Sequence, residues 1–204
     1  KTIDTFGSFV KEMKQAASEC IQHSIQHSQR MAGAIRKEYQ TIGSGYDALS
    51  KVCTKANTTD GDAIKLSMAL TGAAAKMEAC ANLVKTQPAR DELPWIDSMK
   101  EYVGMLSQFS DAIHSSKAAD KKFHDVQKQA EQTGSVAVSE QEALRKRLER
   151  IHTVTLCEVH HFHESLKKDL KAMMQAYFQA QIDHHQALID QLQAAKQGFD
   201  DLPF

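Results

Sequence analysis

An apolar ladder that steps three and four residues at a time runs through almost all of this 204-residue chain, and only three prolines interrupt it. In the last third its rungs are Leu144, Leu148, Ile151, Val159, Phe162, Leu166, Leu170, Met173, Tyr177, Leu188 and Leu192, with polar residues at most positions between. That spacing is one helical face, sustained for longer than an ordinary helix needs. A helix from Ser139 to Gln197 would extend roughly 90 Å at about 1.5 Å per residue, against about 30 Å for a compact domain. The ladder therefore predicts a rod.

Sparse glycine and aromatic residues, with plentiful Ala, Gln, Lys, Glu and Met, favour helix over alternating strands, so the expected fold class is all-α. No stretch approaches the roughly 20 apolar residues of a membrane-spanning helix, and Lys1 to Val10 lacks the apolar run of a signal peptide. A soluble chain in the cytoplasm is expected. Cys20, Cys53, Cys80 and Cys157 are too far apart for a zinc site and too few for a disulfide scaffold, so they read as buried, reduced thiols. Asn57-Thr58-Thr59 matches a glycosylation acceptor but reads as a turn in that compartment. A net charge of −1 excludes nucleic-acid binding by bulk charge, leaving local patterning to carry any electrostatic function.

Helix one is expected over about 2–56, with Ile3, Phe6, Val10, Met13, Ala17, Ile21, Ile25, Ser28, Met31, Ile35, Ile42, Tyr46 and Leu49 on one face. Its early spacing is heptad-like. From Met31 the repeat lengthens toward eleven, which relaxes a left-handed coil. Asn57 to Gly61 supplies turn and capping residues before helix two, expected over about 60–132. Pro88 and Pro94 each remove an amide donor and crowd the preceding turn, so a kink is expected near 88–94. Thr133, Gly134 and Ser135 form the next turn. Ser139 with Glu142 reads as a capping box opening helix three, over about 139–197, and Gly198 with Pro203 as its stop. Three long kinked helices joined by short turns make one antiparallel coiled-coil bundle over 1–204, and apolar residues on more than one face call for a homodimer.

Candidate chemistry is thin. Glu158, His160, His161, His163 and Glu164 form the densest group of potential ligands. A bundle di-iron site needs a second Glu/His pair on another helix and two further inward carboxylates, which the chain does not offer. No metal, no cofactor and no catalytic apparatus is expected. Basic residues are more informative. Lys117, Lys121, His124 and Lys128 share a stripe of helix two, Lys122 lies beside it, and Arg145, Lys146, Arg147 and Arg150 lie across the hairpin. Lys167, Lys168 and Lys171 make a second, smaller patch. A polybasic face gains on the order of 1 kcal/mol per cation near an anionic leaflet, enough in a dimer for reversible adhesion. The plainer reading is a solvated face laced by intrahelical ion pairs. The run Ile3, Phe6, Phe9, Val10, Met13 reads as the start of the core rather than as a membrane-surface segment.

Phe6 to Met13, Lys37-Glu38-Tyr39 with Tyr46, Gln87-Pro88, Glu101-Tyr102 with Gly104, Lys117, and above all Glu158-Val159-His160-His161-Phe162-His163 together give the chain a family likeness. It resembles the BAR domain of a sorting nexin, most like the SH3-PX-BAR group, over essentially its whole length. The resemblance implies a crescent-shaped homodimer, or a heterodimer with a related sorting nexin. Its concave face would sense or impose curvature on anionic phospholipid membranes in endocytosis or endosomal sorting, at the plasma membrane, endocytic vesicles or endosomes. The implied membrane-binding residues are Lys117, Lys121, Lys122, Lys128, Arg145, Lys146, Arg147 and Arg150, with Lys167 and Lys168 as further candidates. No PX or SH3 domain is visible here, so the chain is expected to be a piece of a longer protein. The alternative is a lipid-independent coiled-coil adaptor that docks partner proteins.

Overall fold

The computed structural model describes residues 2–56, 61–133 and 138–203, and these are helical except at the extreme C-terminus. Five α-helices follow in order: α1 Thr2–Arg30, α2 Arg36–Ala56, α3 Gly61–Gln87, α4 Leu93–Thr133 and α5 Val138–Asp200. A π-helical turn, Met31–Ile35, joins α1 to α2, and a second, Pro88–Glu92, joins α3 to α4, so the chain runs as three long helices. The expected turns at 57–60 and 134–135, with the acceptor pattern at 57–59, lie outside the described residues.

Both π turns have a physical reason. Met31 is where the apolar repeat lengthens, and a turn with one extra residue re-aims the following face. At Pro88–Glu92 the expected kink takes the form of a widened turn. Pro94 cannot donate to the carbonyl four residues back, and its ring would press on that carbonyl in a regular α-helix; the wider turn relieves the clash. Two terminal expectations for helix three are corrected. α5 already includes Ser139, so Ser139 is not its N-cap, and the helix runs through Gly198 to Asp200 before Leu202 closes a tighter turn onto Phe199. The cysteine reading is corrected too: only Cys80 is buried, Cys20 and Cys53 are half-buried, and Cys157 is exposed on α5.

The described chain falls into two compact units. One comprises Lys1–Ile21 with Ser98–Met173. Its core is Phe6, Val10, Tyr102, Leu106, Ile113, Val159 and Phe162, flanked by Ile3, Phe9, Met13, Phe109, Leu166 and Met173. The spacing of Phe6, Phe9, Val10 and Met13 puts one face of α1 onto α4 and α5, as expected for a core segment. Phe6 meets Phe109 edge-on at 5.2 Å and Phe162 at 6.1 Å, and Phe109 meets Phe162 at 4.9 Å. Tyr102 donates its hydroxyl to Asp169 at 2.7 Å and His152 contacts Asp120 at 3.2 Å, fixing α4 and α5 as antiparallel neighbours. Burial and the adjacent carboxylate push the Tyr102 phenol well above its ordinary range.

The other unit comprises Gln22–Asp97 with Met174–Phe204. Here α2 and α3 approach closely through small residues. A Cβ at Gly43 would meet the Met77 Cβ at 3.1 Å and the Ala74 carbonyl oxygen at 3.2 Å, so a larger side chain has no room. About two turns away, the Ser50 hydroxyl contacts Ser67 Oγ at 2.7 Å and Thr71 Oγ1 at 2.8 Å inside the seam. Ile25, Ile42 and Leu49, expected on the buried face of helix one, are exposed instead; on α2 it is Gly43 and Ser50, the residues next to Ile42 and Leu49, that occupy the contact.

A buried polar cluster surrounds the second π turn. Glu92 accepts from the Ser28 hydroxyl and contacts His27 Nδ1, and Gln87 Nε2 donates to Glu92 at 3.3 Å. Asp91 is held by Arg90 in a two-point pair. His184 on α5 is fully buried, and neither of its ring nitrogens meets a hydrogen-bond partner among the described residues. Burial lowers the His184 pKa from 6.5, an effect deepened by His185 and opposed by Asp91 and Glu92. The unfolded chain then binds a proton that the folded one resists, so stability present above pH 6.5 declines as pH falls below it. Urea unfolding between pH 7.5 and 5.5 should show this decline in the native chain and a shallower one in His184→Leu. Parallel profiles would refute the assignment to His184.

Candidate functional site

The ten cationic candidates all sit in the unit built from Ser98–Met173 and the start of α1, and all are exposed. α4 carries Lys117, Lys121, Lys122 and Lys128; α5 carries Arg145, Lys146, Arg147, Arg150, Lys167 and Lys168. Four of them have anionic partners. Lys117 meets Asp4 of α1 at 2.9 Å and holds that carboxyl below the usual carboxylate range through a hydrogen bond and its charge. Arg145 meets Glu149 at 2.7 Å, Lys146 meets Glu142 at 3.3 Å, and Lys167 meets Glu164 at 2.7 Å. The Lys167 hydrogen bond likewise lowers the Glu164 carboxyl. These pairs are solvent-exposed, so water and salt screen them and each holds its cation only weakly.

Lys121, Lys122, Lys128, Arg147, Arg150 and Lys168 have no ion pair among the described residues. Two of them converge. Lys122 and Arg147 line one pocket of about 330 Å³ whose walls are Ser115, Ala118, Ala119, Leu144, Leu148 and Ile151. The contact between Asp120 and His152 sets the same register, so cations of α4 and α5 stand at one level. The stripe of Lys117, Lys121 and Lys128 is separate from this convergence. Lys122 follows Lys121 by one residue, about 100° around the helix, and it is Lys122 that shares the pocket with Arg147. Arg145 lines a different groove with Phe123, Val126 and Gln141.

A second candidate surface is apolar. Twelve of the sixteen large hydrophobic side chains that stay exposed among the described residues belong to the unit of Gln22–Asp97 and Met174–Phe204. Ile42, Leu49 and Val52 on α2 recur at helical spacing, as do Ile64 and Met68 on α3 and Phe178, Ile182, Ile189 and Leu192 on α5. Met68 and the small residues Gly72, Ala194, Ala195 and Gly198 line a shallow groove between α3 and α5. Scattered apolar exposure is ordinary, whereas stripes concentrated on three helices of one unit are the mark of a surface meant to be covered.

The histidine cluster disperses. His163 packs its ring against Phe6 and Phe9, Glu164 is engaged by Lys167, and Glu158 and His161 line a groove beside Phe162. Among the described residues no group of three or more His, Cys, Asp or Glu side chains is arranged to hold a metal ion. No described helix is long and apolar enough to cross a membrane.

Comparison with known proteins addresses the whole of this arrangement. A family profile described as the WASP-binding domain of sorting nexin protein matches residues 1–200. Sorting nexin-33 of Mus musculus is 29% identical over 200 residues, 98% of this chain and 34% of that protein. Sorting nexin-18 of Mus musculus is 29% identical over 198 residues, 97% of this chain and 32% of that protein. Sorting nexin lst-4 of Caenorhabditis elegans is 21% identical over 198 residues, again 97% of this chain and 34% of that protein. This chain thus spans about a third of the length of these curated relatives. With an all-α arrangement of three long helices and a profile match over nearly every residue, the chain belongs to the sorting nexin BAR domains of the SH3-PX-BAR group.

Proposed function

We propose that this domain is a dimerising membrane-adhesion module, not an enzyme, which senses or remodels curvature on anionic phospholipid surfaces during endocytosis or endosomal sorting. It acts from the cytoplasm as a peripheral protein of the plasma membrane, endocytic vesicles or endosomes. The observation that carries the reading is the exposed cationic set of α4 and α5, in which six side chains have no ion pair among the described residues and two converge on one pocket. Phosphate headgroups offer these cations a partner that the chain withholds. The pairs around Lys117, Arg145, Lys146 and Lys167 are weak enough to exchange for lipid.

Adhesion should be chiefly electrostatic and therefore sensitive to salt. Co-sedimentation with phosphatidylserine-containing vesicles is expected to fall as salt rises from 50 to 300 mM. Lys121→Glu, Lys122→Glu, Arg147→Glu and Arg150→Glu together should lower vesicle affinity more than a hundredfold, given on the order of 1 kcal/mol per cation lost and further repulsion from each new carboxylate. Unchanged binding by a folded quadruple variant would reject these positions as the contact. The apolar stripes of α2, α3 and α5 support the homodimer, and a heterodimer with a related sorting nexin would use the same stripes.

A second reading, a lipid-independent adaptor that docks partner proteins, is favoured by the family description as WASP-binding. Retention of WASP on the immobilised domain, without binding to any anionic vesicle, would select it.

A further inference from the structure

The ring pair of Phe109 and Phe162 is a partition with two sides. On one side sits α1, with Phe6 at 5.2 Å from the first ring and 6.1 Å from the second. The same two rings also line a groove of about 500 Å³ between α4 and α5, to which α1 contributes no residue. Met105 and Val154, 39% and 53% exposed, stand on its walls, so the groove presents apolar surface to solvent.

Its charge is one-sided. Glu158 and Asp169 line the groove and no Lys or Arg does. They are eleven residues apart on α5, three turns of one stripe and about 16 Å. Glu158 has no hydrogen bond or ion pair among the described residues. Asp169 spends one oxygen on the Tyr102 hydroxyl and keeps the other. An occupant that covers the apolar floor must therefore bring cations to both carboxylates, or bury them unpaired at a penalty.

The α4–α5 pair already displays what kind of element it accepts. α1 lies on the opposite side through Phe6, Val10 and Met13, a spacing of four and three along one helical face. We propose that the open α4–α5 groove is a docking site for an amphipathic helix of a partner protein, with apolar residues at i, i+4 and i+7 and Lys or Arg about three turns apart along its rim. The mode is a helix laid in a groove, with the floor supplying affinity and the two carboxylates supplying orientation. It is independent of whether the cationic positions meet lipid.

The test uses the 204-residue chain and a labelled 18-residue helical peptide carrying three leucines at that spacing and arginines eleven residues apart, read by fluorescence anisotropy. Binding is expected to weaken at least tenfold in Val154→Arg and in Glu158→Lys, both at exposed positions, and to be unchanged in Glu140→Lys, an exposed carboxylate outside the groove. Equal loss in all three variants would mean adhesion by bulk charge and would overturn the proposal. So would equal binding of a peptide with glutamates in place of the arginines. A fall in the mass of the chain itself on Val154→Arg, by analytical ultracentrifugation, would assign the groove to a second copy instead.

Discussion

A chain carrying Met68→Lys and Ile182→Lys is expected to sediment at half the mass of the unaltered protein at concentrations where the latter is dimeric. Met68 is 69% and Ile182 61% exposed in the single chain, the first on α3 and the second on α5, so neither substitution disturbs the interior. Each dimer would receive four ammonium groups in surfaces that association strips of water. Full burial of such a side chain contributes about 1.5–3 kcal/mol. Losing that at four positions weakens association by at least about 6 kcal/mol, about four orders of magnitude in dissociation constant. Helix content by circular dichroism should stay close to that of the parent. A variant that remains dimeric would remove the apolar stripes from the interface, and with them their support for the homodimer.

Leu106→Ala tests the interior of the other unit. Leu106 is fully buried in the core cluster that includes Phe6, Tyr102 and Phe162, and its truncation leaves a cavity that rigid aromatic rings are poorly shaped to fill. A loss of about 2–5 kcal/mol is expected, measured by urea unfolding with unchanged m-value. Leu156→Ala, the same change at a position 43% exposed, should stay within about 0.5 kcal/mol. Equal effects at the two leucines would contradict the assignment of the core.

The ladder made the helices and their order legible because helical periodicity is a local signal that survives any tertiary context. Phe6, Val10 and Phe162 were readable as interior for the same reason. Ile42 and Leu49 were not readable as exposed, since periodicity marks an apolar stripe without saying which surface covers it. Close packing through Gly43 and Ser50 leaves almost no hydropathy trace. The ends of α5 differ from those expected by one residue at Val138 and by three at Asp200, a margin within which capping preferences of about 1 kcal/mol do not fix a helix end.

Among the cations, position along the hairpin could be counted from the sequence, so the common level of Lys122 and Arg147 was within reach. Rotation about the α4 axis was not, and the stripe of Lys117, Lys121 and Lys128 drew attention away from the residue that shares Arg147's pocket. The π turn at Met31–Ile35 left a faint signal in the lengthening repeat. The groove beside Phe109 and Phe162 left none, because one apolar rung was taken to have one neighbour, and these rings have two sides.

The absence of a side chain at Gly43 reaches beyond the helix that carries it. By letting two backbones lie almost against each other, it leaves Ile42, Leu49 and Val52 of α2 on the outward face, where a second molecule can shelter them. A dimer that sheltered them would gain stability with concentration, because association draws on the folded chain alone.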